Sequence, residues 1–157
     1  MKKSDRIESL LASEYGPIDP DKAPKELTSH PCYLGWFEHF NAGEFYTAHD
    51  VLEHLWLKTE GENWRFFKGL IQVAGAFVHL KKQFERPEHP KDGRRIHPAA
   101  RLFGLAETNL RPYAPRHLRL DVEAVCCLCA EHAEIIRRSN KNPWSPDRPV
   151  RIELTAL

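Results

Sequence analysis

The sequence predicts an all-α fold, a multihelical bundle of about five helices with mostly antiparallel neighbours. Three observations lead there. Apolar residues recur at intervals of three and four through most of residues 31–139, which is the period of a helix. Alternation of apolar and polar residues, the mark of a strand, is confined to Val150 to Leu154. Most breaks between periodic segments are a few residues long, which favours antiparallel packing of successive helices. At 157 residues, 41% of them hydrophobic and 29% charged, the chain is the size and composition of one globular domain.

The elements follow in order. Residues 1–30 read as a peripheral arm with a short helical candidate, Ile7 to Ala12, ended by Gly16-Pro17-Ile18-Asp19-Pro20 and Pro24. A helix starts at Pro31, whose ring is pre-set for a first turn, and stops at Ala42-Gly43; Tyr33, Trp36, Phe37 and Phe40 form its stripe. The next, about Glu44 to Glu60, carries Phe45, Ala48, Leu52, Leu55 and Trp56 and ends at Gly61. The third, about Trp64 to Phe84, is apolar nearly all round and so belongs at the centre. Pro87, Pro90 and Gly93 make a loop of Glu85 to His97. A fourth helix runs from Pro98 to about Leu110, and a fifth from a cap at Asp121 to about Ser139. Residues 31–140 thus form the domain, and 141–157, with Pro143, Pro146 and Pro149, an extended tail.

Composition narrows the function classes. No run approaches the ~20 apolar residues of a membrane span, and the amino terminus does not read as a secretory signal. Cys32, Cys126, Cys127 and Cys129 suit free thiols in a reducing compartment. A cytoplasmic protein with no membrane partner is the expectation. Net charge is +1 but uneven: residues 1–62 carry six Lys/Arg against twelve Asp/Glu, residues 81–119 ten against four. Such asymmetry can steer an anionic partner to one face or orient two copies of the chain.

Chemistry concentrates on the two central helices. His49, Leu52, Glu53 and Trp56 share one stripe, and Gly69, Gln72, Ala76 and His79 another, whose small residues admit a close neighbour. Both stripes coincide with apolar faces, and an unpartnered buried polar group costs about 1–3 kcal/mol. The expectation is therefore that His49 and Glu53 meet Gln72 and His79 in a dry interface, with Asp50 at its margin. His49, Glu53 and His79 could then act as general base and acid, or hold zinc, iron or manganese. The same groups can instead form a self-satisfied network that fixes helix register, with Glu53 accepting from His49, His79 or the Trp56 indole. No Glu-x-x-His of the di-iron type occurs, and Asp50 to His54 departs from the inverted zinc-protease motif.

The stretch Phe40-Asn41-Ala42-Gly43-Glu44-Phe45-Tyr46-Thr47-Ala48-His49-Asp50-Val51-Leu52-Glu53-His54-Leu55-Trp56, with Phe67-Lys68-Gly69-Leu70-Ile71-Gln72-Val73-Ala74-Gly75-Ala76-Phe77-Val78-His79, resembles the helical family called domain of unknown function 309. Similarity extends more weakly through Ala100 to Leu110 and Leu120 to Val122, about residues 37–137 in all. The resemblance implies a multihelical fold and no particular activity. It marks Asn41, His49, Asp50, Glu53, Trp56, Gln72 and His79 as the signature; of these, Asn41, Asp50, Trp56 and Gln72 are taken here as the candidate ligand-binding residues beside His49, Glu53 and His79. The family usually has glutamate where this chain has Asp50, and its usual link is shorter than Arg86 to Pro98.

Other features weigh less. Cys126, Cys129 and His132 recur at three-residue intervals, but one Cys-x-x-Cys inside a helix is better read as packing. Lys81, Lys82, Arg86, Lys91, Arg94 and Arg95 read as a solvated basic loop, since a nucleic-acid binder would show larger net charge and a reading element. A small-molecule or metal site is the leading expectation, with a homo-oligomer compatible. The rival is a non-catalytic module binding protein or RNA around a structural polar core.

Overall fold

The computed structural model describes residues 3–15 and 26–156. It is mostly helical: α1 (Lys3–Tyr15), α2 (Pro31–Asn41), α3 (Phe45–Trp56), α4 (Trp64–Glu85), α5 (Ile96–Leu110) and α6 (Val122–Ser139), with a two-stranded antiparallel hairpin, β1 (Arg116–His117) and β2 (Leu120–Asp121), between α5 and α6. From α2 to α6, each helix packs chiefly on its neighbours in sequence, so α4 lies between α3 and α5.

Local chemistry sets the ends. His30 Nδ1 accepts the Cys32 N–H and Pro31 takes the first position of α2, which closes at Gly43 with φ +79. Asp121 caps α6 through the Ala124 N–H, and Asn140 ends it in the left-handed region. α5 begins two residues before Pro98 because the Gln83 side chain on α4 accepts the Arg95 and Ile96 N–H groups at 2.6 and 2.8 Å. α3 stops at Trp56, short of the expected Glu60, and turns lead on to Gly61 at φ +86. Val150 to Leu154 is not a strand; the hairpin lies elsewhere, turning at Leu118 and Arg119, both with positive φ.

The core is aromatic. Phe77 meets Phe40, Phe45, Phe103 and His132, while Trp36 stacks on Phe40 at 4.7 Å and donates its indole N–H to the Leu70 carbonyl. Cys126 and Cys129 are fully buried here as small apolar groups, and Trp144 and Ile152 of the tail join them. α5 approaches α4 closely at Gly69, where an added Cβ would fall 2.6 Å from Leu110 Cγ.

The arm holds more structure than the sequence suggested. α1 spans thirteen residues, a sixth helix, and buries Ile7 and Leu11 against Cys32 and Val51. The Gly16 to Pro24 stretch lies outside the described residues. The docking brings Lys3 and Arg6 to the face of α3 that carries Asp50 and Glu53.

Candidate functional site

Between Phe66 and Leu80 most of α4 is buried; Lys68, Gln72, Gly75 and His79, spaced by four, three and four residues, form its half-buried strip, with Val78 beside it. This corrects the expectation of a dry interior. His49, Glu53, Gln72 and His79 are half-buried, because α3 and α5 flank α4 and leave this line of it open. Gly75, half-exposed and without a side chain, leaves a shallow notch in the strip, closely bounded on both sides: a Cβ there would be in van der Waals contact, 3.4 Å from Leu102 Cδ1 on α5 and 3.9 Å from His49 Cδ2 on α3. His49 therefore leans over α4 between Gln72 and His79, each about one turn away.

The four groups do not hydrogen-bond one another as a set. His49 Nδ1 lies 3.1 Å from Asp50 Oδ1, and its Nε2 is 3.8 Å from Glu53 Oε2, too far for a hydrogen bond. Gln72 Oε1 accepts from Asn109 Nδ2 of α5 at 2.8 Å. His79 Nδ1 meets Arg95 at 3.0 Å. Trp56 packs on Trp64 with the Lys68 ammonium 4.5 Å above its ring, and its buried indole N–H has no partner among the described residues, so it is not held by Glu53. Asn41 is elsewhere: its amide clamps the Ile152 backbone at 2.9 and 2.8 Å and ties down the tail.

Asp50 is the most buried member, at 2% exposure. Lys3 Nζ lies 3.1 Å from its Oδ1 and 2.6 Å from Glu53, and Arg6 lies 2.9 Å from its Oδ2. Burial alone would raise the Asp50 pKa, but hydrogen bonds and charge from His49 and Lys3 outweigh it and hold the carboxyl below its ordinary value. Asp50 is thus an anion and can only accept, which makes His49 Nδ1 the donor, so that the neutral tautomer this contact selects has its lone pair on Nε2.

At His79 the logic runs the other way. A guanidinium has no acceptor, so His79 Nδ1 accepts from Arg95 and the ring proton resides on Nε2. Burial first, then the charges of Arg95, Lys82 and Arg101, push the His79 pKa down and keep the ring neutral. Arg95 is fixed by Asp92, whose Oδ1 takes its Nε at 2.7 Å while Oδ2 takes Arg86 at 3.0 Å. The loop read as solvated and basic is therefore folded around a single carboxylate. Its Gly93 is obligatory, since a Cβ would lie 2.2 Å from the Pro87 carbonyl.

These placements bear on a metal. Among the described residues, no group of three or more His, Cys, Asp or Glu side chains is arranged to hold one. The Lys3 ammonium occupies the space between Asp50 and Glu53 where a cation would sit, and His79 faces a guanidinium instead of sharing a centre with His49. Lys3, Arg6, Asp92 and Asn109 are not singled out by any sequence pattern, and Arg95 is read there only as part of the basic loop. An apolar i, i+4 pair, Ile7 and Leu11, was the available sign that the arm docks.

Burial holds His30, His54, His79, His117 and His132 below the ordinary 6.5. As pH falls through 6.5 the unfolded chain takes up protons that the fold refuses, so stability falls with pH until the folded-state values are reached. Asp50 is lowered relative to 3.8, so its contribution is complete above that pH and is lost only in stronger acid. Melting curves from about pH 8 to 5 should show a midpoint that declines below about pH 6.5; a flat profile would contradict these burials.

No helix among the described residues is long and apolar enough to cross a membrane. No curated protein and no solved structure matches the chain. A family model described as Domain of unknown function (DUF309) matches residues 34–87, from mid-α2 to just past the end of α4; the weaker similarity beyond Ala100 lies outside it. Over that segment, which carries Asn41, His49, Asp50, Glu53, Trp56, Gln72 and His79, the chain shows the resemblance to the domain of unknown function 309 family that its motifs announced.

Proposed function

We propose that the notch over Gly75 is a small-ligand site with acid–base or hydrolytic chemistry, in a bundle whose successive helices run antiparallel. One observation carries the reading: His49, which borders the notch, and His79, one helical turn from Gly75, have partners of opposite kind, a carboxylate on His49 Nδ1 and a guanidinium on His79 Nδ1, which select an acceptor Nε2 on neutral His49 and a donor Nε2–H on His79. In this reading His49 is the general base and Asp50, a buried carboxylate on Nδ1, orients it. Protonated His49 is flanked by Asp50 and Glu53, which stabilise the imidazolium. His79 and Gln72 serve as polar contacts, and Trp56 as one wall. Asn41 is assigned to the tail, and no metal enters the reading.

Two measurements test it. Diethyl pyrocarbonate attacks a free imidazole lone pair, so mass spectrometry should find His49 acylated faster than His79, with Asp50→Asn slowing the reaction at His49. Equal rates at the two rings would contradict the proposed base. Turnover of p-nitrophenyl esters and phosphates by the wild type, His49→Ala and Asp50→Asn then reads catalysis; activity indifferent to His49 would leave the site as a structural network.

A further inference from the structure

The tail is held at two points and arches between them. Asn142 donates its amide N–H to the Leu80 carbonyl at 2.8 Å and accepts the Trp144 N–H at 2.9 Å, while Asn41 clamps the Ile152 backbone. Between these anchors Ser145-Pro146-Asp147-Arg148 turns, with the Arg148 N–H on the Ser145 carbonyl at 3.1 Å, as proline in the second position of a turn favours. The arch leaves a cavity of about 380 Å³ against the ends of α2 and α4 and the start of α3, a volume within the range of small-molecule sites. Phe45, Phe84, Trp144, Pro146 and Pro149 wall it, and the Trp144 ring stands edge-on to both phenylalanines at 6.0 and 5.6 Å. Phe84 is 46% exposed, an apolar ring left uncovered at the cavity. One cation stands among these rings. Lys81 is half-buried, and its ammonium donates at 3.1 Å to the carbonyl of Gly43, itself a lining residue, which places the charge on the cavity side of α4. That bond uses one of three N–H donors, and among the described residues no carboxylate lies within ion-pair distance of the ammonium. Glu85, one turn on, also lines the cavity but is exposed, where water screens it; Glu44 lies in the neighbouring groove, 3.1 Å from His39 Nδ1.

We propose that this cavity binds a small monocarboxylate with a flat apolar body, an aryl or arylalkyl acid, whose carboxylate meets Lys81 and whose ring lies against Phe84 and Trp144. A single half-buried ammonium matches one negative charge, and a charge-assisted hydrogen bond from it is strong where the surroundings are apolar. The Glu85 carboxylate at the rim counts against a dianion such as a phosphomonoester, and the aromatic and prolyl walls count against a bare inorganic anion. Both anchors of the tail are in place without a ligand, so binding orders little that is not already held.

Titration of the full chain with naphthoate, followed at the Trp144 indole N–H by nitrogen-15 NMR and assigned with Trp144→Phe, tests this. Saturable shifts at Trp144 are expected, with the Trp56 and Trp64 indoles unmoved. The methyl ester of the same acid, which keeps the shape and loses the charge, should bind the wild-type protein about 10-fold more weakly or worse. Lys81→Met keeps the apolar stem and should weaken naphthoate about 10- to 100-fold while leaving the ester within about threefold. Phe84→Ala removes an exposed ring and should weaken both ligands. The proposal is overturned by the absence of a saturable shift at Trp144, by an ester that binds as tightly as the acid, or by naphthyl phosphate binding more tightly than naphthoate. Shifts at Trp144 that follow protein concentration with no ligand present would also overturn it, since they give the cavity to a second copy of the chain.

Discussion

Asp50→Ala is expected to destabilise the protein by about 2–3 kcal/mol. Its carboxylate, 3% exposed, accepts from His49, Lys3 and Arg6, so the substitution strands one half-buried ring and two cations. Lys3 and Arg6 are 46% and 59% exposed and return to water, which keeps the cost below the 3–5 kcal/mol of breaking a fully buried pair. The loss is local as well. α1 keeps Ile7 and Leu11 but gives up two of its polar anchors, so its amides should exchange faster while those of α4 change little. An unchanged denaturation midpoint would show that the carboxylate does not hold α1 to α3.

His49→Ala carries the largest expected effect on chemistry. A positioned general base contributes about 10²–10⁴-fold, so turnover of any p-nitrophenyl substrate the protein accepts should drop by that factor. The ring is 29% exposed and outside the aromatic core, so stability should change by less than about 1 kcal/mol. Asp50→Asn, which keeps the volume but loses the charge, should lower kcat more than it raises KM, because the carboxylate orients the ring without touching substrate. A fall in activity that tracks loss of folded protein would reduce both residues to a structural role.

The helices were legible because their causes are local. Pro31, Gly43 and Asp121 mark ends that the structure reproduces, and the stripe of Tyr33, Trp36, Phe37 and Phe40 is buried as its spacing requires, whereas α3 ends at Trp56, before the stop expected at Gly61. The hairpin was not legible, since Leu118 and Arg119 take positive φ without the Asn-Gly chemistry that advertises such a turn. The start of α5 was missed because its cap, Gln83, comes from another helix. The candidate site was legible in membership and misread in setting. Spacing places Gln72 and His79 near the apolar stripe, but only the flanking of α4 by α3 and α5 decides that their line stays open. Their partners, Asn109 and Arg95, lie 37 and 16 residues away in sequence, beyond the reach of any helical period. Lys3 and Arg6 were hidden because the arm's docking rests on two apolar side chains in a segment otherwise rich in charge.

The proton positions on the His49 and His79 rings decide the chemistry of the notch, and nitrogen-15 NMR of the imidazoles near neutral pH reads them directly. The expected result is that the neutral rings are opposite tautomers: His49 with its proton on Nδ1, His79 with its proton on Nε2. If both rings carry the proton on the same nitrogen, or if His79 is a cation at that pH, then Asp50 and Arg95 do not set the two sides of the notch as described.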